Sequence, residues 1–212
     1  MPAAAVVFPV RYVSEGIAVQ TTSREISSLG IGVRSLAPPQ VGARVSMALY
    51  LPNTAIPEVA IGRVSAARSG QPSQAGFWAD FMVVDPNARM RISSLLNVPE
   101  EEAANHRSFR RYPVKLQVRF RTARDFVFEH ATNLSRGGVF IRTDTPPPMD
   151  TAVEVEVVLP DGGLPVTTNG IIVHSVKPGT KGKEAGAGVQ FVDASDSFRD
   201  RIDKYMSSLA TD

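Results

Sequence analysis

The sequence contains no cysteine, which excludes disulfides, thiolate nucleophiles and thiolate metal sites, although that absence alone does not fix the compartment. It has no apolar run long enough to span a bilayer; its longest apolar stretches have the length of a strand. The N-terminus lacks a basic segment leading into an apolar core and a cleavage site, so a cytoplasmic protein without an export signal is expected. A strong excess of one charge is also missing. The net charge is +2 over 212 residues, so any grip on an anion must come from a local cluster. His130 and His174 stand apart, without a second histidine at ligand spacing, and no metal site is expected. The chain has no Gly-x-Ser-x-Gly elbow, Walker loop or dinucleotide fingerprint, and the Lys- and Gly-rich segment 177–183 reads as a hairpin tip. These absences point to a protein that is not an enzyme and carries no cofactor. What the chain does have is 43% apolar residues, enough to build one large core or two small ones.

Sliding the sequence along itself reveals a repeat at a spacing of 108 residues. Val10-Arg11-Tyr12 falls on Val118-Arg119-Phe120, Ser27-Ser28-Leu29-Gly30 on Ser135-Arg136-Gly137-Gly138, and Leu51-Pro52-Asn53 on Leu159-Pro160-Asp161. Gly62 meets Gly170. Beyond a loop two residues longer in the second copy the spacing is 110, which brings Phe81 onto Phe191 and Arg91-Ile92 onto Arg201-Ile202. Each copy is long enough for its own core, so the reading is a duplicated domain, 1–98 and 106–212, and not a solenoid. The polar stretch Asn97 to His106, with Glu100-Glu101-Glu102, reads as a solvated linker.

Within each copy the pattern is mainly β. Val114, Leu116, Val118 and Phe120 alternate with Lys115, Gln117, Arg119 and Arg121, as do Val6, Phe8, Val10 and Tyr12 with their neighbours. Val153, Val155, Val157 and Leu159 repeat the period, matching Val45, Met47, Leu49 and Leu51, with Glu154 and Glu156 turned outward. Turns at Pro52-Asn53 and Asp161-Gly162-Gly163 separate the strands, and many short strands with tight turns predict a small antiparallel β-barrel in each copy. Each barrel is then followed by a C-terminal α-helix. Asp85 and Pro86 open the first ahead of Ile92, Leu95 and Leu96; Ser195 opens the second ahead of Phe198, Ile202, Tyr205, Met206 and Leu209. Trp78 reads as a core or interface residue.

Two features of the second copy carry chemistry. Arg107, Arg110 and Arg111 form a basic arm, and Tyr112 before Pro113 biases its exit towards extended backbone. On an extended arm, arginines four residues apart point to one side, and each guanidinium can hold phosphate or a guanine edge through two parallel hydrogen bonds. The second feature is Asn133-Leu134-Ser135-Arg136-Gly137-Gly138, where short polar side chains and glycines could meet a flat ligand. Taken separately, the first would read as a basic linker and the second as an ordinary turn.

Taken together, these residues resemble the PilZ domain, a family of bacterial receptors for cyclic di-GMP. Its RxxxR pattern falls on Arg107 and Arg111, and its (D/N)xSxxG pattern on Asn133, Ser135 and Gly138, one hairpin apart as in the family. Ala187-Gly188-Val189-Gln190-Phe191 resembles the family's penultimate strand. The resemblance implies that Arg107 and Arg111 hold phosphate and guanine from the arm, and that Asn133, Ser135 and Gly138 meet a guanine from the barrel. Arg110, Arg136 and Gly137 would supplement them. His106 sits where the family's residue influences whether one ligand or an intercalated pair binds, and its identity leaves the number open.

The first copy departs from the pattern. It places Glu25 where Asn133 stands, and a carboxylate there repels a dianionic ligand. The counterpart of Arg111 is Ala3, so the arm is missing. The first copy is thus expected to be a degenerate PilZ-like domain with a structural or partner-binding task. The resemblance implies a receptor that acts on motility, surface polysaccharide or development through a protein partner. Two alternatives remain at this stage: a scaffold that binds no ligand, or a nucleic-acid-binding barrel using Arg107, Arg110, Arg111, Lys115, Arg119, Arg121 and Arg124.

Overall fold

In the computed structural model the described residues are 3, 5–52, 54, 56–97, 111–121, 126–180 and 182–209, with 126–128 described by backbone alone. Asn53, Glu100 to Glu102, His106, Arg107, Arg110, Arg124 and Lys181 lie outside them. The chain divides into two compact units, Met1–Phe109 and Arg110–Asp212.

The first unit contains β1 (Pro9–Ser14), β2 (Ile17–Ile26), β3 (Gly30–Arg34), β4 (Arg44–Leu49), β5 (Glu58–Arg68), β6 (Gly76–Val84) and α1 (Pro86–Leu96). The second contains β7 (Tyr112–Arg121), β8 (Phe126–Ser135), β9 (Gly138–Arg142), β10 (Ala152–Val158), β11 (Val166–Val176), β12 (Gly186–Val192) and α2 (Asp196–Leu209). Each set of six strands closes into an antiparallel barrel, ordered β1-β2-β3-β6-β5-β4 and β7-β8-β9-β12-β11-β10. The pairing repeats with the sequence: Gly62 lies opposite Phe81, and Gly170 opposite Phe191. The two extra residues of the second copy fall in the loop between β11 and β12.

Alternation along the strands fills each interior. Phe8, Val10, Tyr12, Val45, Met47, Leu49, Ile31 and Val33 are buried in the first barrel. Leu116, Val118, Phe120, Val153, Val155, Val157, Leu159, Val139 and Ile141 are buried in the second, and Val114 packs against them half-buried. A one-residue slip would turn each of these sets outward, so the register is fixed by burial. The turn from β1 to β2 places Glu15 and Gly16 at φ 51° and 79°, the double left-handed geometry that a two-residue hairpin with native twist requires.

Helix termini follow the local chemistry. The Asp85 carboxylate accepts from the Asn87 N–H at 2.8 Å, with Pro86 as the first helical residue. Ser195 Oγ accepts from the Phe198 N–H at 3.2 Å. In α2, Phe198, Ile202 and Met206 are buried, and Phe198 packs edge-on against Phe191 with ring centres 5.0 Å apart. The repeated arginine ties each helix to its barrel. Arg91 pairs with Glu58 at 3.0 Å, while Arg201 forks onto both oxygens of Asp161 at 2.6 and 2.8 Å and donates to the Leu164 carbonyl. Segment 187–191, which the resemblance marks as a penultimate strand, belongs instead to the last strand, β12, and the chain passes from it directly into α2.

Candidate functional site

Arg111 is exposed and immediately precedes β7. The first residues of that strand pair with the end of β8, Tyr112 opposite Leu134 and Pro113 opposite Asn133. Leu134 is fully buried in the core, so Asn133 and Ser135, one residue to either side, face the outer wall, where both are half-buried. Arg111 and the hairpin motif therefore lie at one end of the barrel, where Arg111, Asn133, Ser135, Arg136, Gly137 and Gly138 come together. Arg107 and Arg110 lie outside the described residues.

The hairpin is tighter than a loop surrounding a ligand. Ser135 pairs directly with Gly138 across a two-residue connection, and Ser135 Oγ donates to the Gly138 carbonyl at 3.2 Å. The Gly137 carbonyl accepts from the Phe191 N–H at 3.0 Å. A Cβ on Gly138 would collide with the Val189 carbonyl, so this glycine is required by β12, whatever it offers a ligand. The first barrel repeats the device. Ser27 Oγ accepts from Gly30 N–H at 3.2 Å, the Leu29 carbonyl accepts from Phe81 N–H at 2.8 Å, and a Cβ on Gly30 would strike the Ala79 carbonyl. Serine and glycine thus close the hairpin in both copies and do not separate a binding barrel from a non-binding one.

Three outward positions do differ. Glu25 replaces Asn133, as the sequence indicates. Opposite Asn133 on β9 lies Phe140, which pairs with Gly188 of β12; their counterparts in the first barrel are Gly32 and Trp78. Trp78 is half-buried and lies outside the core. Its indole lies along the outer wall against Gly30 and Gly32, where added Cβ atoms would fall 2.8 and 3.4 Å from it, and its N–H donates to Asp80 at 2.8 Å. The first barrel covers its wall at Gly30 and Gly32 with its own indole, whereas at the matching position the second has Gly188, flanked by the His174 side chain. The signal was present in the sequence, since the 110-residue spacing sets Trp78 on Gly188, but only the pairing of β3 with β6 shows what the indole covers.

Charge at the site is partly committed. Arg136 pairs with Asp203 of α2 at 2.9 Å. Burial pushes the Asp203 carboxyl above the usual carboxylate range, against the opposing pull of Arg136 and Arg199. The basic stripe of β7 is likewise answered: Arg119 pairs with Glu156 at 2.9 Å and Arg121 with Glu154 at 3.2 Å, both across to β10. Among the described residues no three His, Asp or Glu side chains gather as a metal site, and no helix is long and apolar enough to cross a membrane.

Two closed six-stranded barrels in series, the second bearing an arginine at its strand entrance beside an Asn-x-Ser-x-x-Gly hairpin, define a tandem small-barrel protein. Residues 105–208, which hold the second barrel and α2, match the PilZ domain. Solved structures similar to the chain include the inhibitor of motility MotI/DgrA of Bacillus subtilis (11% identity, TM-score 0.43, covering 100% of this chain and 98% of that one). MrkH of K. pneumonia in its apo state is similar at 12% identity and a TM-score of 0.45, over 96% and 87% of the two chains. YcgR of Escherichia coli in complex with c-di-GMP is similar at 11% identity and a TM-score of 0.38, over 98% and 85%. No curated protein matches the sequence.

Proposed function

We propose that the second barrel is a non-enzymatic, cytoplasmic receptor for cyclic di-GMP and passes ligand capture on to a protein partner in motility, polysaccharide or developmental control. The observation that supports this reading is the pairing of Pro113 with Asn133, which sets Arg111 and the outward Asn133 and Ser135 at one end of a barrel that matches the PilZ domain. Arg107 and Arg111 clamp phosphate and guanine, with Arg110 beside them, while Asn133, Ser135 and the Gly137–Gly138 backbone receive a base. The chemistry suits a flat dianion, because guanidinium forks match both phosphate oxygens and the Hoogsteen edge of guanine. No catalytic group is assigned, so the ligand leaves as it arrived. The nucleic-acid reading loses support, since Arg119 and Arg121 are already paired with carboxylates.

Calorimetric titration of the full chain with cyclic di-GMP tests the proposal. Arg111→Ala should weaken binding at least about tenfold, because a hydrogen bond to a charged group contributes roughly 1.5–3 kcal/mol. Arg111→Lys should recover only part of the loss, since an ammonium keeps the charge but not the fork. Equal affinity in parent and both variants would remove Arg111 from the site, and no heat at all in the parent would leave a scaffold without ligand.

A further inference from the structure

The outer wall of the first barrel differs in kind from that of the second at the same place. Along β5 the outward residues are Val59, Ile61 and Arg63; β4 pairs Ala48 with Val59 and Arg44 with Arg63, and β6 sets Val83 beside Ile61. Val59 and Val83 are 57% and 58% exposed, and Ala48 and Ile61 are half-buried, so the strip is open to solvent. At its end Arg44 and Arg63 face each other, both exposed, an unfavourable like-charge pair. Among the described residues neither forms an ion pair with a carboxylate, and Asp80, Arg63's neighbour on β6, accepts from the Trp78 indole at 2.8 Å, which leaves one negative charge beside the two positive ones. In the second barrel, Ala48, Val59, Ile61 and Val83 become Glu156, Thr167, Asn169 and Asp193, and Glu156 is neutralised by Arg119. One copy of the duplicated wall is polar, while the other is apolar and ends in two facing arginines with a single carboxylate, Asp80, beside them.

We infer that this strip on β4, β5 and β6 is a docking surface for an acidic amphipathic helix of a partner protein. The barrel is closed, so no strand edge is available there and recognition falls to side chains. Same-face residues of a strand recur every ~6.7 Å, close to the ~6 Å between residues i and i+4 of a helix. Two apolar side chains one turn apart therefore sit over Val59 and Ile61, and a carboxylate on the next turn reaches between Arg44 and Arg63, relieving their repulsion. The inference concerns the first barrel alone and does not rest on cyclic di-GMP binding.

The test uses the full chain with methyl-labelled valine and isoleucine. The probe is a capped helical peptide of about sixteen residues, with leucines at i and i+4 and glutamates at i+7 and i+8. Shifts confined to Val59, Ile61 and Val83 are expected, with affinity lowered at least tenfold by R63E or R44E and no binding of the peptide with lysines in place of glutamates. No shift up to millimolar peptide, or equal binding of the lysine peptide, overturns the inference. So does a concentration-dependent shift without peptide accompanied by a doubled mass, which assigns the strip to a second copy. Preference for phosphatidylglycerol vesicles over the peptide overturns it as well.

Discussion

At Gly138 the fold itself requires glycine, at the backbone position where the proposed ligand contact also falls. The Val189 carbonyl occupies the space a side chain would need, so Gly138→Ala must displace β9 from β12 before any ligand is considered. Overpacking of this kind costs about 1–3 kcal/mol, and urea unfolding of the variant should show a loss of that size without ligand. A variant as stable as the parent would show that the strands yield freely there. Arg136 poses the opposite problem. Its pairing with Asp203 at 2.9 Å competes with any phosphate, and a half-exposed pair contributes only about 0.2–1 kcal/mol. Burial holds the Asp203 carboxyl above its ordinary range, so the folded state favours its protonated form; its ionisation costs stability at neutral pH, a cost relieved as pH falls through the raised value. Asp203→Asn should therefore melt no lower than the parent at pH 7, and by freeing Arg136 should tighten cyclic di-GMP binding. Unchanged affinity in that variant would make Arg136 structural.

At the scale of elements, the sequence made legible whatever repeats locally. Period two in Val114 to Phe120 and in Val153 to Leu159 gives β7 and β10, and Asp85-Pro86 and Ser195 mark the helix starts because caps are local chemistry. The duplication was legible too, since one fold read twice repeats its turns. Contacts between distant segments were not. Arg136 meets Asp203 and Trp78 covers Gly30 and Gly32 through packing that no local pattern encodes, and Gly138, read as offering a ligand close approach, is required by β12. The fastening of α2 is another such contact. Hydrogen bonds from Arg201, then from the Gly163 N–H, hold the Asp161 carboxyl below its ordinary 3.8. A depressed carboxylate stabilises the fold above its unfolded value and loses that contribution as pH falls through the folded one. Asp161→Asn should thus melt below the parent at pH 7, with the gap closing in acid below about 3.8; a gap independent of pH would place the cost elsewhere than in the carboxylate.

For the whole molecule, duplication followed by divergence predicts how many places on the chain can take the ligand. Both barrels keep the serine–glycine hairpin, so both keep the shape of the site's floor. Only the second keeps the rest. The first has Ala3 in place of Arg111, so the guanidinium of that position is missing from its strand entrance. Glu25 sets a negative charge where Asn133 offers an uncharged amide, and the Trp78 indole lies on Gly30 and Gly32 where a base would have to stack. Each of these features would weaken binding, and a ligand approaching the first barrel meets all three. The full chain should therefore bind cyclic di-GMP in a single phase, whether as one molecule or as an intercalated pair. Disabling the second barrel with Arg111→Ala and Asn133→Ala together should leave no weaker phase behind. The measurement is calorimetry on the full-length double variant at ligand concentrations well above the parent's dissociation constant, with circular dichroism to confirm that both barrels remain folded. Residual saturable heat would mean that the first barrel binds the ligand despite Glu25 and Trp78, and would overturn the division of labour between the two copies.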